Sequence, residues 1–267
     1  MKPKKGPFLI INADDFWHDG EINRAIVGAF QGGWCSSATV MPNMPGFEEA
    51  AELCHQEGLE AHVGLHLVLR DGFPLTDEMR RHMRFCDRMG RLCLSRQGMI
   101  PILHLSGEEQ KILASEIRAQ IQRCRAFRIP LTHLDSHYHL HNEWAVAQVV
   151  ISVARAEGIP YVRIARNVGP GLSCPKRWYK ASLNRYLSRV GMARTRYFGS
   201  AKDIAVFRKH LTGQSKDTMA ERASFEVMIH PTLTSEGLVD AADGKPIRVC
   251  VEEIEGHRSA VSFQGSR

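Results

Sequence analysis

Short apolar runs alternate with amphipathic stretches from the first residues of the chain onward. Phe8-Leu9-Ile10-Ile11 is a continuous apolar run that ends in acidic residues, the pattern of a strand covered on both faces. Ile22, Ala25, Ile26, Ala29 and Phe30 then recur at helical spacing, and Gly32-Gly33 ends that helix. Ser37 to Met41 predicts a second strand, closed by Pro42. Phe47 to Glu57 predicts a helix stopped by Gly58, and Ala61 to Leu69 a third strand. Farther on, Ile112, Ile117, Ile121 and Cys124 mark one face of a helix from Glu108 to Phe127. Pro130 introduces a strand from Leu131 to Asp135. A helix from Glu143 to Glu157 stops at Gly158, and strands follow at Tyr161 to Ile164 and Phe225 to Ile229.

Strand followed by helix followed by strand implies right-handed βαβ units, hence an α/β fold with a parallel sheet or barrel. The 267 residues, 43% of them hydrophobic, suffice for one full core. No internal repeat, low-complexity segment or linker divides the chain, so residues 1–267 read as a single domain. Residues 70–106 are rich in Arg, Gly and Met with weak periodicity, and read as a long insertion or lid over the site. Residues 170–223 read as mostly helical but irregular, with no role assigned.

The formal net charge of +6 permits an anionic partner, but the basic residues are scattered and form no nucleic-acid motif. Nucleic acid is therefore not the expected partner. The seven cysteines are odd in number and lack C-x-x-C spacing, which argues against a disulfide framework or a thiolate zinc site. The apolar run near the N-terminus breaks at Asn12-Ala13-Asp14-Asp15, too early for a signal segment, and no run approaches the ~18 residues of a membrane span. The expectation is a cytoplasmic protein.

Three polar motifs lie where an apolar strand meets its loop: Asn12 to Asp15, Gly64-Leu65-His66, and Thr132 to His141. In α/β barrels the C-terminal strand ends converge on one face, which holds the active site. Two adjacent carboxylates repel unless a cation or shared proton relieves them. Strand alternation would point Asp14 and Asp15 different ways, one toward a metal and the other free as a base. The plainer alternative is an acidic turn or helix cap. His66 alone reads more readily as a satisfied core histidine. The segment 133–141 holds four histidines and an aspartate, with His137, His139 and His141 alternating as on one face of an extended segment. That density points to metal binding, against the alternative of a polar loop whose histidines bridge backbone groups. One carboxylate and two imidazoles with positions left for water make a catalytic style of site, suited to hydrolysing an amide or ester.

These motifs resemble the YdjC-like carbohydrate deacetylases, the ChbG/HpnK group. The resemblance rests on Asn12-Ala13-Asp14-Asp15-Phe16, on Val63-Gly64-Leu65-His66-Leu67 with Asp71-Gly72, and on Thr132 to His137 with His139 and His141. It extends to Val162-Arg163 and to Glu226 through Pro231. It implies an irregular, TIM-type (β/α) barrel-like fold related to polysaccharide deacetylases, and hydrolysis of the acetamide of N-acetylated sugars. It implies one divalent metal ion held by Asp15, His66 and His137, with Asp14 as the catalytic carboxylate. The arrangement is also similar to the polysaccharide deacetylases of the NodB type, and by that analogy Arg163 orients Asp14 and His230 is the acid for the leaving amine. Asp135, His139 and His141 are expected beside the ligands or the substrate. Magnesium is the metal usually described for the family, whereas two imidazoles favour zinc, with manganese, cobalt or nickel also acceptable.

One departure concerns Trp17, where the family usually has glycine. A tryptophan at the rim would stack on a sugar or narrow the pocket. Two other readings stand beside the deacetylase: a metal-dependent hydrolase of another amide or a phosphoester, and a non-catalytic binder of sugar or nucleic acid. A homodimer is compatible with the sequence, and a membrane partner is not expected.

Overall fold

A computed structural model describes residues 8–96, 100–169, 173–203, 207 and 224–249. Its first half follows the predicted alternation: β1 (Phe8–Phe16), α1 (Gly20–Gln31), β2 (Ser37–Val40), α2 (Phe47–Gln56) and β3 (Val63–Leu67). After β3 come α3 (Asp77–Arg81), α4 (Gly107–Ala126), β4 (His133–Ser136), α5 (Trp144–Ala156) and β5 (Tyr161–Val162). The chain continues through α6 (Cys174–Arg189), β6 (Tyr197–Ser200) and β7 (Ser224–Ile229) to an antiparallel hairpin, β8 (Pro231–Thr234) and β9 (Gly237–Asp240).

Seven strands form one sheet in the order β5-β4-β3-β2-β1-β7-β6, every neighbouring pair parallel. That order is the sequence order read around a circle, with the opening between β5 and β6. Tyr161 bridges to Ala193 across that opening, so the sheet curls into a half-barrel. The expected barrel-like α/β fold is the one observed.

Strand alternation gives the barrel two chemically different walls. Leu9, Ile11 and Ala13 of β1 join Ala38, Val40, Val63, Leu65, Leu134, Phe225, Val227 and Ile229 in the main core, where α1, α2, α4 and α5 pack. Each large apolar side chain buried there contributes about 1.5–3 kcal/mol. The opposite parity is apolar only at the bottom, where Ile10 and Tyr161 make a separate small cluster. Above it the buried side chains are polar: Asn12, Asp14, Thr39, His66, His133, Asp135 and Glu226.

Local chemistry explains the element ends. The Asp19 carboxylate accepts from the amides of Glu21 and Ile22 and caps α1. Ser106 and Glu109 form a reciprocal capping box on α4. The third strand is shorter than its apolar run because Glu60–His62 forms a 3-10 turn. The fourth begins at His133 because Leu131 has a φ of 52°, outside the β region.

Within 70–106, α3 is tied to α4 by Glu116, whose carboxylate accepts from the Leu75 and Thr76 amides and the Thr76 hydroxyl. The stretch 170–223 is not simply helical, since it supplies strand β6. Its residues 170–172, 204–206 and 208–223 lie outside the described residues. The hairpin β8–β9, which packs on α1, has no counterpart in the sequence reading. Among the described residues no helix is long and apolar enough to cross a membrane.

Candidate functional site

The site begins with a bulge in β1. Its pairing with β2 holds through Asn12–Ser37 and Ala13–Ala38, then slips before Phe16–Val40. Inside the slip Asp15 has a φ of 64°. Strict alternation would separate the two aspartates, but the bulge turns Asp15 back so that both carboxylates face one site. The expectation that they point different ways is corrected here. Asp15 Oδ1 lies 2.9 Å from His137 Nδ1 and 3.2 Å from His66 Nε2. The other nitrogen of His66, Nδ1, lies 2.7 Å from Asp135 Oδ1, which fixes the ring and aims Nε2 at Asp15.

Asp14 sits deeper and is held differently. Arg163 donates from Nη1 to Asp14 Oδ2 at 2.7 Å and from Nη2 to Oδ1 at 2.8 Å, and Asn12 donates to Oδ1 at 2.8 Å. The same guanidinium reaches Asp135 and Glu226, and it lies 4.8 Å from the centre of the Phe198 ring. A planar fork of five donors can serve three carboxylates at once, which an ammonium cannot. All four groups are buried.

The electrostatics follow from that crowding. Burial alone would raise Asp14, but the Arg163 charge and hydrogen bonds outweigh it and hold the carboxyl well below the usual range. Burial also opposes ionisation of Asp15, yet hydrogen bonds from His137 and His66 keep it far below the usual range. Desolvation would lower His66, but Asp135, Asp15 and Asp14 push it up to about 10. Glu226 goes the other way: burial dominates the pull of Arg163 and raises it to about 7. Glu226 Oε2 has no hydrogen-bond partner.

These residues fit a divalent cation. Three carboxylates, Asp14, Asp135 and Glu226, contact one guanidinium, and Asp15 adds a fourth beside His66 and His137, so the cluster lacks positive charge. With only protein groups around it, His66 takes a proton to supply some of that charge. The ligand atoms of Asp15, His66 and His137 lie within 4.8 Å of one another, and this group is partly open. A second group, Asp14, His66 and Asp135, meets the same distance but is fully buried. Its two carboxylates are already paired with Arg163, so the first group is the better cation site. One carboxylate and two imidazoles suit zinc-like ions and leave positions for water or substrate.

The remaining predicted residues are placed less uniformly. His230 follows β7, is close enough to Asp14 to help lower its pKa, and has Nδ1 3.9 Å from the buried Asp240 carboxylate. His139 and His141 do not join His137 on one face. The segment His137–Asn142 is a 3-10 stretch kinked by positive φ at Tyr138 and His139, so the extended-strand expectation fails. Burial holds both histidines neutral, His139 at about 3, and His141 Nδ1 lies 2.7 Å from Ser136 Oγ. Neither touches the candidate ligands. His133 fills the barrel interior against Asn12, over Gly64, where a Cβ would come within 2.4 Å of its ring.

Trp17 is not at the rim. It is fully buried, packs edge-on against Phe47 with ring centres 4.4 Å apart, and holds a φ of 79°. That φ lies in the left-handed region, where glycine fits freely and an L side chain is strained. Sequence reasoning missed Glu226 as a partner of Arg163, and Asp240 beside His230. Lone carboxylates on or after an apolar strand carry no signal that distinguishes them from surface residues.

A family model described as YdjC-like protein matches residues 8–260. A carbohydrate deacetylase from Brevibacillus brevis is 38% identical over 152 residues, covering 57% of each protein. Another from Geobacillus stearothermophilus is 37% identical over 164 residues, 60% of this chain and 61% of that one. These alignments therefore span less than two thirds of the relatives' own length. A chitooligosaccharide deacetylase from Proteus mirabilis is 30% identical over 239 residues, 86% of this chain and 83% of that one. Among solved structures, a candidate cellobiose-phosphate cleavage protein from Enterococcus faecalis superposes with a TM-score of 0.71 at 19% identity, covering 98% of both chains. That likeness speaks to the fold alone.

Proposed function

The chain belongs to the YdjC-like protein family, and from that premise we propose that it hydrolyses the acetamide of N-acetylated sugars with one divalent metal ion. The observation that carries the reading is the Asp15–His66–His137 group beside the Arg163-clamped Asp14, at the C-terminal ends of β1, β3 and β4. The names of the relatives, carbohydrate and chitooligosaccharide deacetylases, support the substrate class.

When bound, a divalent ion would polarise the acetamide carbonyl and acidify a water ligand. Asp15, His66 and His137 would hold it, with Asp135 keeping His66 in the orientation that aims Nε2 outward. Asp14 accepts the proton of the attacking water. Three hydrogen bonds occupy its two oxygens, which together offer about four acceptor positions, so one remains for that proton. His230 delivers a proton to the departing sugar nitrogen, with Asp240 behind its ring. Zinc-like ions are favoured by the two imidazoles and magnesium by family precedent, and both belong to the proposal.

The test is loss of an acetyl group from an N-acetylglucosamine oligomer, followed by mass spectrometry, with the Asp15→Ala/His137→Ala protein as the blank. An oligomer that wild-type protein leaves unchanged under every ion rejects the reading.

A further inference from the structure

The two histidines of the ligand group are held by different means. His66 has support besides the ligand carboxylate: its Nδ1 lies 2.7 Å from Asp135 Oδ1 and 3.1 Å from Thr39 Oγ1, while Nε2 faces Asp15. His137 faces Asp15 through Nδ1 at 2.9 Å, and among the described residues its ring has no second hydrogen-bond partner. A ligating imidazole ordinarily has its other nitrogen tied to a carboxylate or carbonyl. Something else sets the angle of His137.

The chain leaves His137 through strained backbone. Tyr138 and His139 are both left-handed, with φ values of 53° and 54°. L-residues keep such angles only where surrounding contacts over-determine them. His139 packs among other rings, with those of His141 and Phe198 centred 6.2 and 5.9 Å away. Tyr138 is 58% exposed, so its contacts are few and specific. The Arg70 guanidinium lies 5.2 Å from its ring centre, within cation–π range. Asp71 engages its hydroxyl. The His137 imidazole lies 4.3 Å from the same ring, tilted by 60°. Arg70 and Asp71 are themselves pinned, since the Asp71 amide donates to Leu92 O at 2.9 Å and the Leu94 amide to Leu69 O at 3.2 Å. The Tyr138 ring thus joins the segment after β3, which carries His66, to the segment after β4, which carries His137.

We infer that Tyr138 is a positioning residue: clamped by Arg70 and Asp71, its ring holds the His137 imidazole turned toward Asp15 and sets the cation affinity of the Asp15–His66–His137 group. The inference rests on the cation reading of that group. Tyr138 acts through His137, not on the reacting atoms.

The experiment titrates zinc, and magnesium in parallel, into ion-stripped protein by calorimetry, with a thermal melt of each ion-free sample. The proteins are wild type, Tyr138→Ala, Tyr138→Phe, Arg70→Ala and the Tyr138→Ala/Arg70→Ala double variant. Tyr138→Ala should bind the ion at least about tenfold more weakly than wild type, the loss usual when a ligand's support is removed, with its melt unchanged. Tyr138→Phe keeps the ring and should recover most of that loss. Arg70→Ala should weaken binding too, and the double variant no more than Tyr138→Ala alone, because the two side chains act as one unit. A wild-type ion Kd in Tyr138→Ala, a Tyr138→Phe protein as weak as Tyr138→Ala, or losses that add in the double variant would each overturn the inference. No binding of either ion by wild type sinks the cation reading and the inference with it. Ion affinities that move as stated, without acetate release, leave the inference standing and count against the deacetylase reading alone.

Discussion

Asp14 and Arg163 meet through two parallel hydrogen bonds, 2.7 and 2.8 Å long, with both side chains almost completely cut off from water. The pair is one side of a larger arrangement, since the same guanidinium also balances Asp135 and Glu226. Replacing Arg163 with lysine keeps the charge but removes the fork. Acetate release should fall about 100-fold or more as Asp14 loses its orientation. Unfolding free energy should drop by about 1–3 kcal/mol, because the retained ammonium leaves some hydrogen bonds to the buried carboxylates unmade. Urea melts and kinetics on the folded variant check both, and wild-type kcat in Arg163→Lys contradicts the positioning role.

Glu226 gives a pH dependence with a definite sign. Burial raises its pKa from an ordinary 4.5 to about 7, so the folded state holds this proton more tightly than the unfolded state. Its contribution to stability is full below the unfolded value and is lost as pH rises through about 7. Glutamine cannot titrate, yet its amide oxygen can still accept from Arg163 Nε. The stability of Glu226→Gln relative to wild type should therefore improve between about pH 5 and pH 8, by at most about 3 kcal/mol. Equal differences at the two pH values in urea melts of ion-free protein contradict this.

Trp17→Gly separates a core role from a rim role. The substitution removes a buried indole, at about 3–5 kcal/mol, and relieves left-handed strain of roughly 1–2 kcal/mol. The expected net loss is about 1–4 kcal/mol, with KM for an oligomer unchanged. An unchanged Tm with a raised KM would return Trp17 to the substrate.

Gly64→Ala examines the barrel interior. The added methyl meets the His133 ring at 2.4 Å, and that ring is held between Thr132 and Asn12. Overpacking of this kind typically costs 1–3 kcal/mol. A thermal melt indistinguishable from wild type would mean that the ring moves freely.

The strands that carry the site are readable in the chain because their apolar runs stop abruptly at polar residues. Asn12, Asp14, Asp15, His66 and His137 stand at those stops, and the barrel geometry makes stops converge. What escapes the sequence depends on backbone turns and on partners from distant segments. The bulge that redirects Asp15 and the kink that scatters His139 and His141 are φ values, which residue spacing does not encode. Trp17 goes inside, where Phe47, the first residue of α2, covers it. Glu226 shares an apolar strand with Phe225 and Val227, and only the fold brings it to Arg163.

In the proposed reaction a cation at Asp15, His66 and His137 works with Asp14 to release acetate. The most direct measurement strips the protein of divalent ions and follows acetate release from an N-acetylglucosamine trimer as zinc, magnesium, manganese, cobalt or nickel is added back. Wild-type protein should be silent when stripped and restored by at least one ion. Asp14→Asn should bind that ion with similar affinity yet turn over about 100-fold or more slowly. Full acetate release by stripped protein, or by Asp14→Asn, would contradict the account.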